Sequence, residues 1–333
     1  MSKLVVMGAG AWGTTFAKVL ADGGNDVMIW ARREDVADEI NKVHRNGDYL
    51  PGVRLPHNLI ASNDPAEVLA GATQVYLALP SQSLRENLEI WGAQVPKEAL
   101  LVSLMKGVEK DTGLRMSEVM RELLKVHEDQ IIVVSGPNLS LEIAAGEPAA
   151  SVAACSNLDN AREVATVASN EYFTTFTNKD VVGTEFGGIL KNLIAVAIGI
   201  VNGVGYGQNT KASIMTRGLA EISRFAVAYG AKKKTMVGLA GMGDLIATSE
   251  SPLSRNFKAG EMLGKGYTLR EVSKRLSQTA EGLSSVAPIL ALAAAKGINM
   301  PIVEQVKLVM DGEMNPRDIA PHLTHETDEP QGE

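Results

Sequence analysis

The sequence predicts an α/β fold, in which a doubly wound and mostly parallel β-sheet is followed by an all-helical domain. Short apolar runs alternate with helical segments through the first half of the chain. Such alternation is typical of parallel strands joined by right-handed helical crossovers. After about Asp180 the strand-like runs stop, and long helical segments rich in alanine and glycine follow. A length of 333 residues also favours two domains.

Apolar runs of four or five residues in the first half have the length expected of buried parallel strands. They are Leu4–Met7, Val27–Trp30, Val75–Leu79, Leu100–Leu104 and Ile131–Val134. Two later runs, Ser151–Ala154 and Phe173–Phe176, are expected to extend the sheet at an edge. The helices predicted between the strands are Thr14–Ala21, Pro65–Leu69, Ser83–Ile90 and Leu114–Val126.

The second half contains only helical patterns. The predicted helices are Gly187–Val201, Lys211–Tyr229, Phe257–Leu263, Thr268–Arg275, Val286–Lys296 and Ile302–Asp311. We therefore predict a dinucleotide-binding domain over residues 1–180 and a helical substrate domain over residues 181–324. Residues 325–333 are acidic and polar, and we expect them to form a disordered tail.

Composition excludes several functional classes. The 32 basic and 39 acidic residues give a formal charge of −7, which argues against a general nucleic-acid binder. The single cysteine, Cys155, excludes an internal disulfide and a cysteine-based zinc cluster, and the five histidines lack metal-ligand spacing. The longest apolar run, Leu193–Val201, is too short to span a bilayer. We expect a cytoplasmic protein without a metal, without stable membrane insertion and without nucleic-acid partners.

The segment Gly8-Ala9-Gly10-Ala11-Trp12-Gly13 follows the first predicted strand and precedes a predicted helix. In that context each glycine of a G-x-G-x-x-G pattern has a physical task. Gly8 permits the tight turn, Gly10 lets the backbone approach a pyrophosphate, and Gly13 lets helix and strand pack closely. The helix N-terminus then attracts the phosphates of a dinucleotide.

The end of the second strand indicates which dinucleotide is bound. Sites selective for NAD place an acidic residue there, which accepts a hydrogen bond from the ribose 2′-hydroxyl. This chain has Ala31 instead, followed by Arg32 and Arg33, whose guanidinium groups suit the 2′-phosphate of NADP. In the alternative interpretation, both arginines are solvated charges at the start of a helix. We predict NADP as the preferred cofactor and NAD as a weaker one.

Lys191 interrupts an otherwise apolar helix made of small residues. A lysine in such a position is seldom fully buried without a role, and Gly187 and Gly188 one turn away leave room for a ligand. A lysine whose stem is buried while its ammonium reaches water is the alternative.

A second cluster follows in the helical half. Gly241 and Gly243 precede Asp244 and predict a loop that exposes its carboxylate. The triplet Ser254-Arg255-Asn256 supplies a hydroxyl, a guanidinium and an amide suited to phosphate oxygens, although it also fits an ordinary helix N-cap. The helical spacing of Arg217, Glu221 and Arg224 predicts a surface ion-pair ladder.

Taken in order, these motifs resemble the bacterial NAD(P)-dependent glycerol-3-phosphate dehydrogenases over residues 3 to about 312. The resemblance rests on Gly8–Thr14, Lys106–Glu109, Ser135–Pro137, Gly188–Asn192, Gly238–Leu245 and Ser251–Asn256. It implies a Rossmann domain followed by a helical domain. It also implies reduction of dihydroxyacetone phosphate to sn-glycerol 3-phosphate, which supplies glycerophospholipid synthesis.

The resemblance also implies residue roles. Lys191 matches the lysine that transfers the proton, and Lys106 matches one that contacts cofactor and substrate. The implied substrate contacts further include Gly136, Asn138, Asp244, Ser254, Arg255 and Asn256. The implied cofactor contacts are Gly8, Gly10, Ala11, Trp12, Gly13, Arg32, Arg33, Tyr49, Lys106, Ser140, Arg255, Thr279 and Glu281. Asn138, Ser140 and Thr279 depart from the residue types usual in the family.

Two other functions stay open at this point. The nearest enzymatic alternative is another Rossmann-plus-helical dehydrogenase that acts on a hydroxy acid, whose carboxylate substrate would not require the triplet at residues 254–256. A dinucleotide-binding regulator without turnover is the other alternative, against which Lys106, Lys191 and Asp244 together argue. The expected partner is a small phosphorylated three-carbon substrate, and a homodimer is compatible with the sequence.

Overall fold

The computed structural model describes residues 3–276 and 280–319. Within them the chain forms two compact units. The first comprises the described residues up to Glu109 together with Leu114–Glu185, and the second comprises Lys110–Gly113 and the described residues from Phe186 onward. The predicted domain boundary lies after residue 180, while this division falls five residues later. The predicted tail over residues 325–333 lies outside the described residues.

The first unit contains one sheet of eight strands. The strands are β1 (Leu4–Met7), β2 (Val27–Trp30), β3 (Leu59–Ser62), β4 (Gln74–Leu77), β5 (Leu100–Ser103), β6 (Ile131–Ser135), β7 (Ala149–Ala154) and β8 (Phe173–Asn178). Their spatial order is β3-β2-β1-β4-β5-β6-β7-β8, and all neighbours are parallel except the antiparallel pair β6 and β7. The fold prediction is confirmed.

The order of the strands determines where a ligand can bind. After β3 the chain returns past β1 to β4, so the order reverses between β1 and β4. In doubly wound sheets, ligands bind outside the carboxyl ends of the strands at such a switch point. Gly8 directly follows β1 and therefore lies at this position.

Helices cover both faces of the sheet. They are α1 (Ala11–Asp22), α2 (Glu34–Val43), α3 (Pro65–Leu69), α4 (Leu84–Trp91), α5 (Met116–Leu124), α6 (Ser140–Ala144) and α7 (Leu158–Val167). Side chains of β1 alternate between two cores, with Leu4 and Val6 in one and Val5 and Met7 in the other. This alternation explains why a strand buried on both faces is a continuous apolar run in the sequence.

Strand β3 was not predicted, and its position at the edge of the sheet explains why. It has four residues, and Ile60 is exposed, so it lacks the apolar run of a central strand. Its outer side is instead covered by Asn41 of α2, whose side chain exchanges two hydrogen bonds with the backbone of Ala61. A side chain that satisfies backbone groups in this way protects a sheet edge from pairing with another chain.

The second unit is helical throughout its described residues. Its helices are most of α8 (Val181–Val204), α9 (Gln208–Ala228), α10 (Lys233–Met236), α11 (Asp244–Glu250), α12 (Arg255–Gly264), α13 (Leu269–Arg275), α14 (Glu281–Ala295) and α15 (Pro301–Asp311). A π-helical turn, Leu239–Gly243, directly precedes α11. Helix α8 is long and apolar enough to cross a membrane by length and composition, and 83% of its most apolar window is buried within the described structure.

Glycines let α8 and α12 approach backbone to backbone. A Cβ atom on Gly199 would lie 2.2 Å from the carbonyl oxygen of Phe257, and one on Gly260 would lie 2.1 Å from that of Val196. Such distances are far inside van der Waals contact, so no larger residue fits at either position without moving a helix. This close packing holds the start of α12 in a fixed position along α8.

The ion-pair ladder predicted on α9 is wrong. Glu221 is 1% exposed, and its two carboxylate oxygens accept hydrogen bonds from the backbone N–H groups of Ile302 and Val303 at 3.0 and 3.1 Å. These groups belong to the first turn of α15, where N–H groups lack partners within the helix. Glu221 therefore caps a neighbouring helix inside the protein, a role that spacing along α9 could not reveal.

Candidate active site

The loop between β1 and α1 has the shape required to hold a phosphate group. Gly8 has a φ of +123°, a conformation that favours glycine, and a Cβ on Gly13 would lie 1.9 Å from the carbonyl oxygen of Gly8. Around Gly10, by contrast, no atom lies within 4 Å of the position of a Cβ. Gly8 and Gly13 are thus required by the fold of the loop itself. The space beside Gly10, at the start of α1, is open and can receive a ligand.

Asn46 fixes this loop from the outside. Its side chain is fully buried, and Nδ2 donates to the carbonyl oxygen of Ala9 at 2.9 Å and to Oγ1 of Thr14 at 2.8 Å. Its Oδ1 and the indole Nε1 of Trp12 are buried and have no hydrogen-bond partner among the described residues. Sequence reasoning missed Asn46, because nothing local indicates that its amide contacts a loop more than thirty residues away.

Arg33 ends the turn after β2 and is the N-cap residue of α2. Its guanidinium Nη2 donates to the Asp48 carboxylate, and its Nε lies 3.5 Å from Oδ1 of Asp35. The hydrogen bond with Asp48 raises the pKa of Arg33, and the half-buried Tyr49 acts in the same direction. The structure thus brings Arg33 and Tyr49 together, while Arg32 is exposed beside them.

A second group of predicted residues gathers near the carboxyl ends of β5 and β6. Lys106 Nζ donates to the carbonyl oxygen of Gly136 at 3.1 Å. Both polar atoms of the Asn138 amide are buried without a partner among residues 3–276 and 280–319. Ser140 begins α6, and its carbonyl oxygen accepts from Thr15 of α1 at 3.2 Å. A buried amide with unused hydrogen-bonding capacity fits a polar ligand, since such groups are otherwise satisfied.

Lys191 forms the centre of a buried polar cluster in the helical unit, which we call the lysine site (Lys191, Asp244 and Thr248). Its Nζ donates to Oδ1 of Asp244 at 2.9 Å and to Oγ1 of Thr248, and Thr248 donates to the same carboxylate oxygen at 3.2 Å. Lys191 is 6% exposed and Asp244 is 1% exposed. The ammonium is therefore held inside the protein and does not extend into water.

The expectation that a loop exposes the Asp244 carboxylate is wrong. Asp244 is the first residue of α11, and the π-helical turn before it packs directly on α8. A Cβ on Gly187 would lie 2.4 Å from the carbonyl oxygen of Ala240, so only glycine permits this contact. Thr248 was also missed. It lies one turn after Asp244 on α11, and its role follows only once that segment is known to be helical.

The start of α12 is connected to the lysine site through amide groups. Asn256 Nδ2 donates to Oδ1 of Asn192, the residue after Lys191, at 2.8 Å. Asn256 Oδ1 accepts from the backbone N–H of Gly282 at 2.9 Å. The hydroxyl of Ser254 caps α12 by accepting a hydrogen bond from the N–H of Phe257 at 3.2 Å. Ser254 therefore has the N-cap role that the sequence of the triplet also allowed. Asn256 thus positions three elements relative to one another.

Arg255 is the charged member of the triplet. Its side chain reaches the surface, yet the protein crowded around its guanidinium lowers its pKa, an effect that Glu281 partly offsets. A guanidinium partly removed from water binds an anion more strongly than a fully hydrated one. Glu281 begins α14, and Thr279, predicted to contact the cofactor, lies outside the described residues.

The predicted residues therefore form two groups, each within one unit. The first unit contains the glycine loop with Arg32, Arg33, Tyr49, Lys106, Gly136, Asn138 and Ser140. The second contains the lysine site with Ser254, Arg255, Asn256 and Glu281. Among the described residues, no cluster of three or more histidine, cysteine, aspartate or glutamate side chains could hold a metal ion.

The chain is similar to known proteins over almost its whole length. A family model described as the N-terminus of NAD-dependent glycerol-3-phosphate dehydrogenase matches residues 3–161, and the C-terminal model of the same family matches residues 180–321. A glycerol-3-phosphate dehydrogenase [NAD(P)+] of Leifsonia xyli subsp. xyli is 60% identical over 98% of this chain and 89% of its own length.

Two further relatives cover almost the whole chain. A protein of the same name from Corynebacterium diphtheriae is 51% identical over 98% of both chains. The crystal structure of a glycerol-3-phosphate dehydrogenase from Coxiella burnetii superposes with a TM-score of 0.92 at 31% identity, covering 98% of this chain and 99% of that one.

Proposed function

The chain belongs to the NAD-dependent glycerol-3-phosphate dehydrogenase family, and from this premise we propose that it reduces dihydroxyacetone phosphate to sn-glycerol 3-phosphate. The observation that carries the proposal is the lysine site, a buried ammonium held by Asp244 and Thr248. Each unit supplies one part of the chemistry. The first binds the dinucleotide, and the second provides a proton donor and a cation for the substrate phosphate.

The glycine loop fits a nicotinamide dinucleotide. Its open side at Gly10, the N–H groups at the start of α1 and the unused indole N–H of Trp12 suit a pyrophosphate. The unused Oδ1 of Asn46 is an acceptor and suits a hydroxyl group instead. When bound in its reduced form, the nicotinamide supplies a hydride, which no side chain can provide. We propose that Arg32 and Arg33 favour NADPH over NADH.

Lys191 supplies the proton in this proposal. As the carbonyl of the substrate accepts a hydride at carbon, negative charge develops on its oxygen, and Lys191 transfers a proton from Nζ to that oxygen. The lysine is left neutral until solvent returns the proton. In the reverse direction, neutral Lys191 takes the proton from the hydroxyl group of glycerol 3-phosphate.

Asp244 and Thr248 orient this proton donor. Their oxygens both bind Nζ, which restricts the orientation of the lysine side chain. The carboxylate also stabilises the charged lysine within the buried site, since an isolated ammonium there would be costly. Because that stabilisation applies to the protonated form, it favours the reducing direction.

Arg255 is the proposed phosphate ligand, assisted by the Ser254 hydroxyl. Ser254 is the N-cap of α12 and Arg255 is its first residue, and at this end the helix dipole and the backbone N–H groups also favour an anion. The close packing of α12 on α8 fixes the distance between this anion site and the lysine site. A fixed distance lets the phosphate align the carbonyl for reaction, which lowers the entropic cost of catalysis.

The test measures oxidation of NADPH and NADH with dihydroxyacetone phosphate, unphosphorylated dihydroxyacetone and a 2-oxo acid. We expect turnover with the phosphorylated substrate and a higher kcat/KM with NADPH, by about tenfold. Arg255→Ala should raise the KM for dihydroxyacetone phosphate by roughly 10- to 100-fold, because it removes charge-assisted hydrogen bonds. The exposed Arg270 provides a matched control, and Arg270→Ala should leave that KM unchanged.

The other outcomes are equally informative. Turnover with the 2-oxo acid but not with the phosphorylated substrate would identify a hydroxy-acid dehydrogenase. Cofactor binding without turnover on any substrate would identify a regulator. The cytoplasmic location, a homodimer and the supply of product to glycerophospholipid synthesis stay predictions.

A further inference from the structure

The Arg33 guanidinium already has a carboxylate partner. The side chain of Asp48 accepts a hydrogen bond from Nη2, and the side chains of Arg33 and Asp48 are 47% and 61% exposed. Asp35, next to Arg33 on α2, makes a longer contact at 3.5 Å to Nε. Asp48 thus occupies the outer edge of the group that is expected to contact the adenosine ribose.

The loop over residues 44–55 holds Asp48 in this position. Asn46, two residues earlier, is anchored to the glycine loop through Ala9 and Thr14. The backbone N–H groups of Tyr49 and Leu50 both donate to the carbonyl oxygen of Asn46, and Leu50 is fully buried. Asp48 therefore lies on a turn that is anchored on either side, and the residue that anchors its start also contacts the glycine loop.

The two cofactors differ in how they would meet this carboxylate. A ribose 2′-hydroxyl can donate a hydrogen bond to a carboxylate, which is how acidic residues select NAD. A 2′-phosphate is negatively charged, competes for the same guanidinium and is repelled by a carboxylate beside it. Position 31 lacks the acidic residue of NAD sites, and Asp48 brings one to the same arginine from another part of the chain.

We propose that Asp48 is a specificity-determining residue, which weakens the preference for NADPH created by Arg32 and Arg33 and supports the use of NADH. The inference rests on the proposed function, since it concerns the adenosine end of the same dinucleotide site. It makes Arg33 the shared partner of a protein carboxylate and a cofactor phosphate. With the Asp48 carboxylate beside Arg33, the protein discriminates less between NADPH and NADH than it would with Arg32 and Arg33 alone.

The test compares wild type with Asp48→Asn, which keeps the size of the side chain and removes its charge. Dissociation constants for NADPH and NADH are measured by nicotinamide fluorescence at one fixed ionic strength, without substrate. We expect the ratio of the NADH to the NADPH dissociation constant to rise about fivefold or more, through tighter NADPH binding and weaker NADH binding.

Asp38→Asn is the matched control. Asp38 also lies on the exposed side of this region, but it pairs with Lys42 rather than with Arg33. Asp38→Asn removes one negative charge, as Asp48→Asn does, so a general electrostatic effect on the anionic cofactors would be similar in both variants. The inference requires that the ratio change in Asp48→Asn alone.

Two outcomes separate the inference from the proposed function. If wild type binds both cofactors while Asp48→Asn leaves the ratio within twofold of the Asp38→Asn value, Asp48 does not determine specificity and the proposed function stands. If wild type binds neither NADPH nor NADH, the proposed function fails and the inference fails with it.

Discussion

The lysine site and the Arg33–Asp48 pair each join a cation to a carboxylate, but their surroundings differ. The side chains of Lys191 and Asp244 are 7% and 1% exposed, whereas those of Arg33 and Asp48 remain half exposed. A buried pair is enclosed by packed atoms and cannot exchange its partner without leaving a charge unpaired. An exposed pair is screened by water and contributes little, typically ~0–1 kcal/mol.

This difference suits the two proposed tasks. A proton donor must keep its orientation through the reaction, and burial gives Lys191 fixed hydrogen bonds to Asp244 and Thr248. A residue that binds a cofactor phosphate must be able to change partners when the cofactor arrives and leaves. Arg33 can do so because little free energy is lost when its exposed contact with Asp48 breaks.

Replacement of Lys191 should give the largest effect. Lys191→Met keeps an unbranched stem and removes the transferable proton, so we expect kcat to fall by ~10²- to 10⁴-fold while cofactor affinity changes little. Single-turnover kinetics and NADPH titration measure the two quantities. Lys265→Met, at an exposed pair with Glu261, is the control and should retain activity. Near-normal kcat in Lys191→Met would move the proton donor to another residue.

The buried pair should also matter for stability. Asp244→Asn removes a buried negative charge 2.9 Å from the Lys191 ammonium, and we expect the free energy of unfolding to fall by roughly 3 kcal/mol. Asp311→Asn breaks an exposed pair with Lys307 and should cost less than about 0.5 kcal/mol. Denaturant titration of both variants measures the contrast. Equal losses in the two variants would show that burial does not distinguish these pairs.

Glu221 is a second buried charged group, but its carboxylate faces backbone N–H groups of α15 instead of an ammonium. Burial raises its pKa to about 7, although the two hydrogen bonds and Arg224 oppose the shift. A carboxyl group whose pKa is higher in the folded than in the unfolded protein stabilises the fold at low pH. That stabilisation is lost as the pH rises from about 4.5 to about 7.

We therefore expect wild type, relative to Glu221→Gln, to be more stable at pH 5 than at pH 8. The difference should be at most about 3–4 kcal/mol, since the pKa rises from 4.5 to about 7 and each pH unit corresponds to about 1.4 kcal/mol. Thermal unfolding of both proteins at pH 5, 6, 7 and 8 measures it. A stability difference that does not vary with pH would mean that Glu221 keeps one protonation state throughout this range.

The smallest effect is expected at the exposed pair. Arg33→Ala should leave the free energy of unfolding almost unchanged, because the contact with Asp48 is exposed to solvent. The same substitution should weaken NADPH binding more than NADH binding. Chemical denaturation and cofactor titration measure the two effects on one preparation. A large loss of stability would show that Arg33 supports the fold itself and would remove the contrast with the lysine site.

Much of the first unit followed from local patterns. The bounds of β1 and β2 are as predicted, because a strand buried on both faces is a short apolar run between breaks. The glycine loop was identified for a similar reason, since each glycine answers a local steric demand. Edge strand β3 was missed because Asn41, and not an apolar run, holds it in place.

The site in the second unit was predicted only in part. Lys191 stood out as a lone charge in an apolar helix, but its partner Thr248 lies 57 residues away on a helix that the glycine-rich sequence did not predict. Asp244 was singled out, yet its burial depends on how closely the turn before it packs on Gly187. The exposed ladder assigned to Glu221 was wrong because spacing on one helix does not show which neighbour covers it.

The α/β order, the glycine loop and the presence of a chemically distinctive lysine could all be predicted from the amino-acid sequence alone. These depend on interactions within a few residues, such as strand alternation, the turn at Gly8 and the rarity of lysine in an apolar helix. The carboxylate that each cation binds, Asp244 for Lys191 and Asp48 for Arg33, became known only from the folded structure. Pairing and burial depend on packing between distant segments, and that packing fixes both the strength of an ion pair and its freedom to exchange partners.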